Sequence, residues 1–174
     1  RGRNGMGLFW SMQPAKEDVP YLPPRGKASV RLQLVVQGRA VATSDATRLP
    51  AAPTIVESET SVSRQGFAGS FLHLRSSRRQ PGVLVLGGSE GGLGRSVLAR
   101  LLTSHGYPTL ELAYFEAPGL PRELKRIPLE YFERALRWLA TQSSVDGSRL
   151  IVLGRSRGGE AALLLASRYP QLIR

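Results

Sequence analysis

Residues 150–160 read LIVLGRSRGGE. The apolar run Leu150-Ile151-Val152-Leu153 breaks into Gly154-Arg155-Ser156-Arg157-Gly158 and passes directly into a helix-like segment. A short apolar run ended by glycine suits a buried strand. A Gly-x-Ser-x-Gly between strand and helix is the pattern of a nucleophile elbow, where serine occupies a strained turn and small residues on either side prevent clashes. Gly154 and Gly158 stand two residues before and two after the serine, and Gly159 allows closer approach still. Such a turn lifts Ser156 Oγ to the strand tip, and the following helix points its N–H groups and dipole at the same place. The spacing therefore predicts Ser156 as a nucleophile; the plainer alternative is a glycine-rich βα turn with an ordinary serine. Arg155 and Arg157 fit equally as solvated charges or as positive potential for an anionic substrate.

Working back from this turn, strands and helices alternate. Gly82-Val83-Leu84-Val85-Leu86-Gly87 is apolar throughout, as a strand buried on both faces requires. Val97, Leu98, Leu101 and Leu102 fall at helical spacing between Leu93 and Ser104, with Gly106 placed to end that helix. Pro108 to Phe115 reads as the next strand. Pro128, in an N1-like position, opens a helix carrying Leu129, Phe132, Leu136 and Leu139. A strand from Arg149 to Leu153 and a helix from Ala161 to Tyr169 complete the series. Alternation of this kind predicts βαβ units with helices on both faces of a parallel sheet.

Before Pro81 the character differs. Pro20, Pro23 and Pro24 exclude a regular central element there. Ala28 to Val36 alternates as a half-buried strand does, and Gln37-Gly38-Arg39 offers a tight turn into Ala40–Thr43. Further runs lie at Thr54–Val62 and Phe67–Leu74. Short strands separated by Gly, Pro and Ser predict a small antiparallel sandwich. The fold class expected is α/β: an antiparallel β-sandwich over 1–78, then a parallel sheet with flanking helices over 79–174.

Composition narrows the function classes. The 174 residues contain no cysteine, so disulfides and thiolate metal clusters are excluded, and the two histidines leave little for a metal site. No metal and no cofactor is expected. No apolar run approaches the roughly 20 residues of a membrane helix, and nothing argues for an oxidising compartment, so a cytoplasmic location is expected. The net charge of +11 permits a polyanionic partner. The arginines are scattered, however; only Arg75, Arg78 and Arg79 cluster, in a linker-like stretch, and no aromatic platform accompanies them. Nucleic acid is not expected as the partner.

Oxyanion-hole donors are expected from two places: the backbone N–H of Arg157, and the loop Gly87-Gly88-Ser89-Glu90-Gly91-Gly92, with Gly88 and Ser89 as its donors. A phosphate-gripping loop is the rival reading. No Gly-Lys-Ser/Thr follows, which removes the nucleoside-triphosphate version. A dinucleotide fold lacks the strict G-x-G-x-x-G, although Glu111 lies about twenty residues on.

A triad of this class runs nucleophile, acid, histidine along the chain. Residues 157–174 contain neither aspartate nor histidine. Glu160 lies on the helix that starts at the elbow, too close to orient a distant histidine. His73 and His105 precede Ser156 and read as structural or surface residues. The expectation is that this chain is the N-terminal part of a longer protein. Alone it would be weakly active or inactive, and prone to self-association through an unpaired sheet edge.

At these residues the chain resembles the acyl-CoA thioesterase and bile acid-CoA:amino acid N-acyltransferase family. Residues 7–12 (GLFWSM) resemble the family's opening strand. Residues 81–92 (PGVLVLGGSEGG) resemble its first hydrolase strand and glycine loop, and residues 104–107 (SHGY) and 112–115 (LAYF) its next helix end and strand. Residues 127–133 (IPLEYFE) are similar to a distinctive helix opening, and residues 154–159 (GRSRGG) match the nucleophile turn. The likeness is strong from Pro81 and weaker between about Val19 and Gly66. It implies an N-terminal β-sandwich followed by an α/β-hydrolase domain, and an acyl-CoA thioester substrate. The family nucleophile is serine in the thioesterases and cysteine in some acyltransferases, so Ser156 tilts the implication toward hydrolysis. N-acyl transfer to an amino acid, a general esterase or dienelactone-type hydrolase, and a non-catalytic interaction protein remain the alternatives.

Overall fold

The structure is a computed structural model that describes residues 27–75, 78–94 and 96–173; the stretch 7–12 lies outside them. Its strands form two sheets, one of two strands and one of five.

The two-stranded sheet is a hairpin of β1 (Ala28–Val36) and β2 (Arg39–Arg48), with Val36 paired to Arg39. Gln37 and Gly38 take φ of 49° and 77°, the two positive values that a two-residue type I′ turn demands. The alternation in β1 holds only at its start: Ala28, Val30 and Leu32 are half-buried, while Leu34, Val35 and Val36 are exposed. The half-buried strand expected over 28–36 is thus confined to its first five residues.

The five-stranded sheet runs in the order β3-β4-β6-β5-β7. Its members are β3 (Ile55–Thr60), β4 (Ala68–Leu74), β5 (Gln80–Leu86), β6 (Thr109–Ala113) and β7 (Val145–Gly154). β5 pairs parallel with both β6 and β7, β4 pairs antiparallel with β6, and β3 antiparallel with β4. This corrects one placement. The runs at 54–62 and 67–74 are strands, but they extend the parallel sheet instead of joining the hairpin. An alternating strand fits either location; the hydrogen bonds to β6 decide it.

Among the described residues four helices accompany the sheet: α1 (Val62–Gln65), α2 (Val97–Ser104), α3 (Leu129–Ala140) and α4 (Arg157–Arg168). α2 starts four residues later than the periodicity suggests. Ser96 is its N-cap, with Oγ accepting from the Leu98 N–H at 3.0 Å. It ends as Gly106 predicts, with φ 95°, Gly106 N–H donating to Thr103 O and Tyr107 N–H to Leu102 O, a Schellman arrangement. Pro128, expected at an N1-like position, is instead the N-cap of α3, which starts at Leu129. β7 starts at Val145 and α4 at Arg157, each four residues before the expected start.

The helices lie on both faces. α2 packs on β4 and β6, while α3 and α4 pack on β5 and β7. Alternation along the strands supplies each face. Phe71, Leu84 and Leu110 point into a core with Phe132, Leu136, Leu139 and Leu165, whereas Glu111 points to α2 and accepts the Ser96 N–H at 2.9 Å. β5 and β6 are buried from Pro81 to Leu86 and from Thr109 to Ala113.

Candidate active site at the Ser156 turn

β7 ends beside β5, with Gly154 opposite Leu86. Arg155 N–H then donates to Leu86 O at 3.1 Å, which holds the chain against the neighbouring strand for one residue more. At Ser156 the backbone reverses, with φ 53° and ψ −123°. That conformation is costly for a residue with a side chain and persists only where the surroundings impose it. Here they do. A Cβ on Gly154 would lie 2.0 Å from Gly158 O, and one on Gly158 would lie 2.2 Å from Gly87 O and 2.5 Å from Leu86 O. Both glycines are needed because α4 starts in contact with the strand it leaves and with the end of β5.

The serine is exposed, at the edge where the parallel strands end. It is the N-cap residue of α4, yet its side chain caps nothing. The Arg157 N–H is the first of that helix, among the amides without an intrahelical partner. The glycine loop after β5 comes equally close: a Cβ on Gly88 would lie 3.2 Å from Ser156 Cβ. Arg157, Gly88 and Ser156 are therefore brought to one place. Ser89 follows Gly88 in the same loop.

Tyr114 anchors this loop. Its hydroxyl donates to Gly87 O at 2.7 Å and approaches Gly88 O at 3.3 Å. Burial pushes the Tyr114 phenol up, with the nearby Glu90 charge adding to the shift. Tyr131 ties the sheet together below, its hydroxyl donating to Ala113 O at 2.5 Å and accepting from the Ala68 N–H at 3.0 Å. Beside the loop, on the α2 face, is a cavity of about 170 Å³ whose lining includes Gly88, Glu90, Leu98, Glu111, Tyr114 and Arg155. Burial pushes the Glu111 carboxyl above the ordinary carboxylate range, only partly offset by the Ser96 N–H.

Known proteins resemble this chain in sequence and in fold. Residues 127–173 match the family model described as BAAT / Acyl-CoA thioester hydrolase C terminal. The mouse acyl-coenzyme A thioesterase 6 is 33% identical over 178 residues, covering 95% of this chain and 41% of the relative. The mouse acyl-coenzyme A amino acid N-acyltransferase 1 is 39% identical over 93 residues, covering 53% of this chain and 22% of the relative. The chain is a distant relative of the acyl-CoA thioesterase and N-acyltransferase superfamily. It spans about two fifths of the length of the thioesterases it matches. Among solved structures, a putative dienelactone hydrolase from Klebsiella pneumoniae superposes with a TM-score of 0.56 at 21% identity, covering 69% of this chain and 57% of that one. An esterase from Pyrobaculum calidifontis gives 0.55 at 21%, covering 66% and 40%. Both likenesses concern the α/β-hydrolase fold alone.

The superfamily's distinctive helix opening at Ile127–Glu133 falls at the start of α3, away from the serine, where Phe132 enters the core. The histidines lie elsewhere too. β4 runs opposite to β6, so His73 sits at the edge where the parallel strands begin. His105 caps the C-terminus of α2 just before β6 starts, at that same edge. Their Nδ1 atoms contact Leu74 O and Leu101 O. Glu160 is paired with Arg157 at 2.9 Å. Among the described residues, then, no histidine stands beside Ser156, and no group of three His, Asp or Glu side chains is arranged to hold a metal. No described helix is long and apolar enough to cross a membrane. Sequence reasoning overlooked Tyr114 and Glu90; their types gave no signal, because each acts through a contact with a residue distant in sequence.

Proposed function

We propose that Ser156 is the nucleophile of acyl-CoA thioester hydrolysis. The observation that carries the reading is its backbone: an exposed serine forced to φ 53° by contacts at Gly154 and Gly158, facing the glycine loop and the first turn of α4. Ser156 Oγ attacks the acyl carbonyl carbon, and a histidine that the described residues do not supply takes its proton. The Arg157 amide and an amide at Gly88 or Ser89 receive the charge that develops on the carbonyl oxygen. The C–S bond breaks, coenzyme A leaves as the thiol with that proton, and water cleaves the acyl-serine ester to the free acid. An amine in place of water gives the amide. The positive balance of the chain favours recruitment of the phosphate-bearing coenzyme. A cytoplasmic setting belongs to the same reading.

The test is turnover of acyl-CoA by the protein carrying these residues, before and after Ser156→Ala. Loss of the nucleophile is expected to lower kcat by several orders of magnitude, on the scale of about 10⁶ for a serine hydrolase. Activity that survives the substitution refutes the assignment. Comparison of acyl-CoA with simple p-nitrophenyl esters separates a thioesterase from a general esterase. The 174-residue chain by itself is expected to turn over little, since neither described histidine reaches the serine edge; Ser156-dependent turnover by that chain alone would contradict this. Self-association is part of the same proposal, because β7 is the outer strand of the sheet and its Ile151 is exposed, with Leu163 and Leu164 of α4 exposed beside it.

A further inference from the structure

The glycine loop that would receive the oxyanion already holds an anion. Glu90 folds back over its own turn. Its Oε2 lies 2.8 Å from where a Gly88 Cβ would stand, and its Oε1 lies 3.2 Å from the equivalent point on Gly87. The backbone amides of Gly88 and of Glu90 itself, ahead of the Arg155 charge, hold the carboxyl below the ordinary carboxylate range. Arg155, the residue before the nucleophile, is ion-paired with it through Nη2 and Oε1. Both side chains line the cavity beside Gly88, and both are reachable by solvent, with Glu90 at 42% exposure.

We propose that Glu90 is a resident occupant of the oxyanion subsite, held there by Arg155, and that it must swing out before an acyl carbonyl can take the Gly88 amide. This rests on the reading of Ser156 as nucleophile and adds a specificity-determining residue to it. Two amides converging on a carboxylate make a nest suited to anions. A carbonyl oxygen gaining negative charge competes for the same donors. Displacing Glu90 also frees Arg155, whose guanidinium is then available to an anionic part of the substrate at the rim of the site. A substrate with that charge compensates the lost ion pair, and a neutral ester does not. The occupant therefore discriminates in favour of anionic acyl donors. Other titratable groups facing Glu90 are Glu111 and Tyr114, both buried across the cavity, and Glu116 lies against Gly91 in the same loop.

The test follows the Gly88 amide in the ¹⁵N-labelled 174-residue chain, and measures, on the protein that carries these residues together with the histidine of its triad, the affinity for a small neutral alkylboronic acid, which becomes an oxyanion mimic on bonding to a serine hydroxyl. In the wild type the Gly88 amide resonance is expected to shift as the pH is lowered through the titration of Glu90, and to lose that response in Glu90→Gln. Glu90→Ala is expected to bind the boronic acid roughly tenfold more tightly than wild type, the scale of one hydrogen bond to a charged group. Ser156→Ala should not bind it. A Gly88 amide indifferent to Glu90, or equal affinity of wild type and Glu90→Ala for the probe, overturns the proposal while leaving the nucleophile reading intact. Binding by none of the three, with Gly88 still responding to Glu90, removes the nucleophile reading instead, and the displacement step falls with it.

Discussion

Ser156 shows how one residue can be held against its own preference. A side chain at φ 53° and ψ −123° costs of order 1–3 kcal/mol, and glycine relieves it. Ser156→Gly is therefore expected to raise the unfolding free energy by about 1 kcal/mol, after the greater chain entropy of glycine is subtracted. Urea denaturation at unchanged slope checks this, and a variant less stable than wild type would mean that the turn stores no strain. Glu111 carries the opposite kind of tension. Burial raises its pKa, so between the ordinary and the raised value the folded state holds a proton that the unfolded state releases, and stability falls as pH rises through that window. Glu111→Gln keeps an acceptor for the Ser96 N–H and removes the charge. The variant should melt above wild type at pH 7, with the gap closing below about pH 4, where the carboxyl is protonated in both states. A gap of constant size across that range would show that the side chain was not ionising under strain.

At the scale of elements, the site is made by the docking of α4 onto the end of β5. The contact is backbone to backbone: Gly158 meets the carbonyls of Leu86 and Gly87 with no room for a methyl group. Gly158→Ala should cost about 1–3 kcal/mol, the usual penalty for overpacking where the neighbours are main chain and cannot move aside. Calorimetry or urea unfolding would measure it, and a cost within a few tenths would show that α4 stands further from β5 than described. The glycine loop is fastened independently, by the Tyr114 hydroxyl on Gly87 O and Gly88 O. Helix and loop thus converge on Ser156 from separate anchors, one steric and one hydrogen-bonded.

For the whole molecule, the sheet has unequal edges. β3 closes one side as a short antiparallel strand, with Glu57 paired to Arg100 at 2.5 Å. β7 lies at the other, bridged beyond β5 only at Leu150 with Ile173 among the described residues. Leu163 and Leu164 on the adjoining helix are 76% and 52% exposed. Apolar side chains next to an open strand favour association. Sedimentation velocity is expected to show concentration-dependent association of the chain, reduced when Leu163 and Leu164 are both changed to lysine. Identical behaviour of the two proteins would place any association elsewhere. The arginine-rich balance acts against it, so raising the salt concentration should strengthen self-association.

Much of this molecule is legible along the chain. The apolar run of β5, the period of α2 and its stop at Gly106, the tight turn at Gln37-Gly38-Arg39 and the bend at Ser156 all follow from local preferences, because each depends on residues within a few positions of one another. Partners across the sheet are another matter. That β3 and β4 extend the parallel sheet, that both histidines lie at the edge opposite Ser156, that Tyr114 reaches the glycine loop and that Arg155 meets Glu90 were decided by tertiary structure alone. Strand alternation states that a face is buried without stating against what. The Tyr114 phenol and the Arg155 guanidinium acquire their roles only when folding brings them to groups tens of residues away, and no spacing within the sequence records that meeting.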